Sequence, residues 1–287
     1  MRVAVIGARG QLGAAIVREL GGGHKVEAFD HAALELTDGE RVLETLTRLQ
    51  PDAIVNCAAY NAVDAAEDHP VDALALNAVA VRTLARAAAA VDAALVHYST
   101  DFVFDGTASE PYSEDAPPNP KSVYATSKLL GEWLAADAPR AFVLRVESLF
   151  GAVPGSRDKG SVSAIVNALE RGDVPRVFED RTVSPTNVFD AARATRALLE
   201  RHAEPGTYHC VNTGHSTWLE FATEAAQLLG VPPRFEAVTL GSLRLRAERP
   251  RYCALSNRKL TSLGIPMATW QDALARYIES RRTTESR

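Results

Sequence analysis

Through its first half the chain alternates short, continuous apolar runs with longer stretches whose apolar positions recur at helical spacing. The runs are Arg2-Val3-Ala4-Val5-Ile6, Lys25-Val26-Glu27-Ala28-Phe29, Ala53-Ile54-Val55-Asn56-Cys57, Ala94-Leu95-Val96-His97-Tyr98 and Ala141-Phe142-Val143-Leu144-Arg145-Val146. Most are apolar without polar alternation, as expected of strands buried on both faces. Between them the composition favours helices over Ala14 to Leu20, Gly39 to Leu49 (capped at Thr37-Asp38 and stopped by Pro51), and Pro70 to Ala90. A further helix is expected to begin near Ser122, after Pro117, Pro118 and Pro120, with Leu129, Leu130 and Trp133 at helical spacing. Such alternation builds a parallel sheet covered by helices, and its ligands lie beyond the carboxyl ends of the strands. The fold class is therefore α/β, a Rossmann-like doubly wound sheet.

Beyond Gly151 the rhythm breaks. Val153 to Gly160 and Asp180 to Thr186 are polar and irregular, and Leu243-Arg244-Leu245-Arg246 and Arg249-Pro250-Arg251-Tyr252 follow without a βαβ repeat. The expected division is a nucleotide-binding domain over 1–150 and a smaller, mainly substrate-binding part over 151–287. A helix from Val188 to Arg201 and a strand near Tyr208-His209-Cys210-Val211, within 188–212, are expected to pack back onto the sheet.

Composition narrows the class of partner. Of 287 residues, 46% are hydrophobic and 23% charged, ordinary for a globular protein, and the net charge of −5 gives no reason to expect nucleic acid or an anionic membrane. Cys57, Cys210 and Cys253 are odd in number and show no metal-ligand spacing, so reduced thiols and no metal are expected. Met1 leads directly into an apolar strand, and no apolar segment is expected to be long enough to span a bilayer; a cytoplasmic protein is expected.

The chemistry gathers at the strand ends. Gly7-Ala8-Arg9-Gly10-Gln11-Leu12-Gly13 places three glycines between a buried strand and a helix, where a dinucleotide pyrophosphate needs a sharp turn and a close backbone approach. Asp30 closes the second strand, where a carboxylate binds ribose hydroxyls and favours NADH; it is equally a turn residue before His31. Arg9 is a cation suited to the extra phosphate of NADPH, so the choice between NADPH and NADH stays open. Ala58 and Ala59 leave room for a cofactor across the third strand end, and Ser99-Thr100-Asp101 closes the fourth. Tyr124 and Lys128 share one helix face at i and i+4, a spacing that an ordinary exposed pair also has. Beside a nicotinamide, Tyr124 can donate a proton to a substrate carbonyl while Thr100 hydrogen-bonds the same oxygen. A cationic Lys128 is expected to stabilise the phenolate, lowering a pKa that is ordinarily near ~10, and to bind the nicotinamide ribose.

Gly7-xx-Gly10-xx-Gly13, Thr100 and Tyr124-xxx-Lys128 resemble an extended short-chain dehydrogenase/reductase. The chain is similar, over nearly its whole length, to the dTDP-4-dehydrorhamnose reductase family. The resemblance rests also on Asn56-Cys57-Ala58-Ala59-Tyr60 with Val63-Asp64-x-x-Glu67, on Ser99 to Gly106, on Ser127-Lys128-Leu129-x-Gly131-Glu132, and on Ser184-Pro185-Thr186. Arg249-Pro250 with Leu255-Ser256-Asn257-x-Lys259-Leu260 is a further, C-terminal match. It implies reduction of the 4-keto group of a nucleotide-linked 6-deoxyhexose by NADPH or NADH in deoxysugar biosynthesis, with Thr100, Tyr124 and Lys128 as the catalytic set. Metal-linked dimers occur in the family, so a homodimer is compatible with the resemblance, with no metal ligand matched here. Family members commonly carry Tyr at Phe102, Gly at Ala125, and Thr-Ser-Trp where this chain has Val146-Glu147-Ser148. That tryptophan would flank the sugar. Dehydratases of the superfamily carry an acid/base Glu at the position of Phe102, which cannot transfer a proton. An epimerase and a non-catalytic nucleotide-binding subunit are the remaining alternatives. Arg181, Arg249 and Arg251 are candidates for the substrate diphosphate, and structural ion pairs explain them equally well.

Overall fold

The computed structural model describes residues 1–156 and 158–285; Arg157 of the polar 153–160 loop, and Ser286 and Arg287 of the charged tail, lie outside the described residues. Six parallel strands form the central sheet. The first five are β1 (Arg2–Ile6), β2 (Lys25–Phe29), β3 (Ala53–Asn56), β4 (Ala94–Thr100) and β5 (Arg140–Val146). The sixth is Gly206–His209, and the spatial order is Gly206–His209, β5, β4, β3, β1, β2. The order reverses beside β1, so the glycine loop leaves the sheet at a topological switch point, where this class of sheet opens a crevice for ligands.

Two apolar layers cover the sheet. On one face Val3, Val5, Val55, Val96 and Leu144 pack against α1 (Gln11–Gly21) and the helix Val188–Glu200. On the other, Ala4, Ile6, Ile54 and Leu95 meet α2 (Gly39–Leu49) and the helix that ends at Ala90. The near-continuous apolar runs follow from this two-sided burial: every residue of β3 and β4 is buried. The 188–212 segment rejoins the sheet by that helix and the edge strand, which pairs with β5 from Gly206↔Phe142 to His209↔Arg145.

Side chains from 150–183 and 218–278 build a second core beside the carboxyl ends of β4 and β5. Phe150, Val166, Trp218, Phe221, Trp270, Leu274 and Tyr277 make its centre. Each fully buried large side chain of this kind contributes roughly 1.5–3 kcal/mol. Its strands are short, two-stranded ladders, which explains the missing βαβ rhythm.

The 70–90 segment differs from the sequence expectation in two ways. It is helical throughout but includes a π-turn at Ala75–Val79, between Pro70–Leu74 and Ala80–Ala90. Contrary to the expected absence of any bilayer-length segment, its 21 residues are long and apolar enough by length and composition alone. Alanine supplies that apolar count, and half of the qualifying window is buried within the fold.

Candidate active site

The glycine loop is dictated by close approach. Gly7 has φ +74°, and a Cβ there would lie 2.8 Å from the backbone nitrogen of Ala58. A Cβ on Gly13 would stand 2.2 Å from the carbonyl oxygen of Gly7, so strand and helix meet only without side chains. α1 starts at Gln11, earlier than expected, and the first helical bond runs from Ala14 N to Gly10 O (2.8 Å). The N–H groups of Gln11, Leu12 and Gly13 therefore face out of the helix N-terminus, where an anion is favoured. The Gln11 side chain points elsewhere: Nε2 donates to Gly151 O (3.0 Å) and to Asp158 Oδ1 (3.3 Å), tying the loop to the second core.

A cavity of about 560 Å³ opens beside this loop, lined among others by Gly7, Gly10, Asp30, Ala58, Ala59 and Lys159. Arg9 and Asp30, which pull the cofactor expectation in opposite directions, are paired with each other here (Nε to Oδ2, 2.8 Å). Asp30 Oδ1 also accepts from Ala33 N (2.8 Å). The size, the glycine cradle and the helix N-terminus suit a dinucleotide.

The Tyr124 helix, Val123–Ala135, is anchored at its start and along its length. Ser122 Oγ caps Ala125 N (3.2 Å) and Glu67 Oε1 accepts from Val123 N (2.8 Å). Further along, Glu132 holds Arg145 of β5 by a fork (Nε–Oε1 2.9 Å, Nη2–Oε2 2.7 Å), both side chains buried. From the π-turn, Asn77 Nδ2 donates to Ser127 Oγ on the same helix (2.9 Å) and to Tyr60 O (2.9 Å), while its Oδ1 accepts from Tyr60 N (2.8 Å). One buried amide thus registers the Tyr124 helix against the loop after β3. Such π-turns are frequent at functional sites.

Thr100, Tyr124 and Lys128 are brought to the same strand end. Burial pushes the Tyr124 pKa up to about 12, against the lowering effect of the neighbouring Thr100 hydroxyl, which itself donates to Asp101 Oδ1 (2.9 Å). The expected lowering by Lys128 is not found. Lys128 is buried and its Nζ donates to Tyr98 O (2.6 Å); burial pushes its pKa down to about 8 against the opposing charge of Glu132. The lysine is thus spent on the backbone of β4, and the phenol stays protonated at neutral pH. Phe102 meets Tyr124 edge-on (5.7 Å between centroids, 85°), and the Arg181 guanidinium lies over Phe102, 5.2 Å from the ring centroid. The position of a dehydratase Glu is filled by a hydrocarbon ring.

The three candidate arginines separate. Arg249 is committed to Asp64 (Nη1–Oδ1 2.9 Å, Nη2–Oδ2 2.7 Å), which drops the Asp64 pKa to about 2, chiefly through that hydrogen bond. Arg181 is buried, 3.8 Å from Asp101 Oδ2 and 3.6 Å from Cys253 Sγ. Arg251 is largely exposed, with Asp180 no nearer than 4.0 Å. Asn77 is absent from the residues that the sequence singles out, and Glu147 is named there only as a departure from the family pattern, not as a site residue. A lone amide inside an alanine-rich helix and a carboxylate closing an apolar strand are the signals that could have found them. Asp101, Glu147 and Cys253 come within 4.8 Å of one another, a grouping of metal-ligand type among the described residues; the Arg181 guanidinium beside them already supplies positive charge.

Known proteins resemble the chain over nearly its whole length. The chain is 33% identical over 282 residues to the spore coat polysaccharide biosynthesis protein SpsK of Bacillus subtilis, covering 98% of each. It is 36% identical to a dTDP-4-dehydrorhamnose reductase of Streptomyces griseus, covering 94% of this chain and 90% of the relative. Among solved structures, the dTDP-4-dehydrorhamnose reductase of Bacillus anthracis in complex with NADP superposes with a TM-score of 0.91 at 30% identity, covering 97% of this chain and 99% of that one. The family described as RmlD substrate binding domain matches residues 1–283. With its glycine cradle, its Thr100–Tyr124 contact and its buried Lys128, the chain belongs to the dTDP-4-dehydrorhamnose reductase family.

Proposed function

We propose that the protein reduces the 4-keto group of a nucleotide-linked 6-deoxyhexose, a dTDP-sugar in the first instance, with NADPH or NADH. The observation that carries this reading is the gathering of Thr100, a protonated Tyr124 and Lys128 at the carboxyl end of β4, in the same sheet whose β1 end bears the glycine cradle. Full-length similarity to named reductases supports it.

When bound, the nicotinamide supplies the hydride. Tyr124 holds its proton at neutral pH and donates it to the carbonyl oxygen as negative charge develops there. Thr100, whose hydroxyl donates to Asp101 Oδ1 at rest, can turn that hydroxyl to the same oxygen and orient the carbonyl. Lys128 lies one turn further on the helix, and its amine, held by Tyr98 O, would meet the ribose next to the nicotinamide. Phe102 places no acid/base group opposite, so the site favours reduction over loss of water. Residues 1–150 with 188–212 would hold the cofactor, and 151–287 chiefly the sugar nucleotide. Arg251, the exposed arginine of the three, would meet the diphosphate, with Arg181 beneath it. The Arg9–Asp30 pair offsets the carboxylate's repulsion of a 2′-phosphate, and Lys159 lines the same cavity, which supports use of NADPH. A cytoplasmic location belongs to this reading.

The decisive experiment follows NADPH and NADH oxidation on addition of a dTDP-4-keto-6-deoxyhexose. Consumption of one equivalent of cofactor per sugar is expected. Binding of both cofactors without consumption with any nucleotide-linked keto sugar would sink the proposal.

A further inference from the structure

Behind Thr100 lie two buried carboxyl groups with one cation between them. Asp101 follows Thr100 in the chain and is 3% exposed; Glu147 follows β5 directly and is 2% exposed. Asp101 Oδ1 accepts from Thr100 Oγ1 (2.9 Å), and Glu147 Oε2 accepts from Ser184 N (2.6 Å). The second oxygen of each, Oδ2 of Asp101 and Oε1 of Glu147, is buried with no hydrogen-bond partner. Arg181 stands 3.8 Å from that Asp101 oxygen, and its Nε is likewise unpartnered. The other titratable groups facing the pair are the Cys253 thiol, which burial keeps neutral, and the Tyr252 and Tyr124 hydroxyls. Two carboxylates against one guanidinium would leave a net negative charge out of water, which is resolved at lowest cost by one proton. Burial raises the pKa of both acids, and Asp101 raises that of Glu147 further.

We propose that Asp101 and Glu147 share one proton beneath Thr100 and hold it in reserve for Tyr124. At rest Thr100 donates to Asp101 Oδ1; once Tyr124 has given its proton to the substrate oxygen, the Thr100 hydroxyl turns and passes its proton to the phenolate, and Asp101, carrying the pair's proton, donates it to Thr100 Oγ1 in the reverse sense of that bond. One O–H bond breaks on the acid, one forms on the phenolate, and Thr100 exchanges one for another; no electron changes owner. The pair is left as two carboxylates over Arg181 and regains a proton from water after the product leaves. Neither acid touches the substrate; both act through Thr100, as positioning residues for the proton. The role rests on the reductase reading, but the shared proton does not.

Infrared spectra of the full chain test the proton, and kinetics test its use. The wild type should show the carbonyl stretch of a protonated carboxyl group at neutral pH, and Glu147→Gln and Asp101→Asn should each lose it, since the remaining acid then pairs with Arg181 as a carboxylate. Glu147→Gln should lower kcat by at least about tenfold, with KM within about twofold, the modest end of acid–base effects. Glu147→Asp should recover most of the loss. Absence of the band in the wild type overturns the proposal even where Glu147→Gln does not fold, and so does Glu147→Gln turning over at the wild-type rate with an unchanged pH profile. One-to-one binding of Zn²⁺ or Mg²⁺ to the wild type, lost in Glu147→Gln, would also overturn it, because the group would then be a cation site. A band present without any reductive turnover removes the reserve role together with the reading beneath it; turnover without the band removes the reserve alone.

Discussion

The two ends of the active cleft are built from different materials. The nucleotide end is backbone: Gly7 and Gly13 in contact with their neighbours' main chain, helix N–H groups, and the small side chains of Ala58 and Ala59. The opposite end is side chain, and charged: Asp101, Glu147 and Arg181 buried together, and Asp64 forked to Arg249. The glycine turn itself comes from residues a few positions apart, whereas the charged groups come from segments separated by many tens of residues. The first kind tolerates no added atoms; the second tolerates no unbalanced charge.

The largest effect is expected where the two ends meet. Tyr124→Phe should cut turnover by about 10²–10⁴-fold while leaving the cofactor dissociation constant within about twofold; a rate near wild type would remove Tyr124 as proton donor. At the nucleotide end, Gly13→Ala forces a Cβ to 2.2 Å from the Gly7 carbonyl. It should cost about 1–3 kcal/mol by denaturant titration and abolish measurable cofactor binding. Retention of both would show that the cradle yields. At the charged end, a double-mutant cycle on Asp64→Ala and Arg249→Ala should give a coupling of about 0.5–3 kcal/mol in stability. Additive losses would mean that the fork does not hold the C-terminal arm against the short helix Val63–Asp68.

Acid stability separates the groups beneath the two ends by sign. His209, with its pKa lowered to about 3 by burial and by Arg145, stays neutral when folded; unfolded, it takes a proton below about 6.5. Its contribution is full above that value and is lost as pH falls from there toward 3. The Asp101–Glu147 pair runs the other way: its folded pKa values are raised, so its contribution falls as pH rises above the usual carboxylate range. His209→Gln should flatten the stability profile between pH 6.5 and 3 by about 1.4 kcal/mol per pH unit relative to wild type. Parallel profiles would show that His209 is protonated in the fold. The smallest effect is expected from Arg9→Ala, whose side chain is largely exposed. It should weaken NADPH relative to NADH by up to about tenfold, the scale of about 1.4 kcal/mol for one exposed charge on a phosphate. An unchanged ratio would assign the preference to other residues of the cavity.

Much of this architecture is legible in the order of residues alone. Continuous apolar runs of β-branched residues between helical stretches specify a parallel sheet because both faces of each strand must be dry. The glycine spacing specifies a phosphate cradle because no other residue fits the approach. Legibility ends where partners lie far apart in the chain. The π-turn at Ala75–Val79 shifts the register of an alanine-rich helix whose composition shows no breaker, and Asn77 gains its meaning from Ser127 and Tyr60. A lowering of the Tyr124 pKa by Lys128 follows soundly from their spacing, but spacing cannot show that Lys128 Nζ is taken by Tyr98 O. Nor can it show that Arg249 is committed to Asp64.

By itself, then, the sequence determined the alternation of strand and helix, the glycine turn and the shared helix face of Tyr124 and Lys128. These depend on residues a few positions apart, where chain geometry fixes the outcome. The tertiary structure alone decided the burial and the pairing of charges: which acids are desolvated together, which arginine is spent in a fork, which lysine is buried. Those follow from dielectric and distance, and both are set only when remote segments close over the carboxyl ends of the strands.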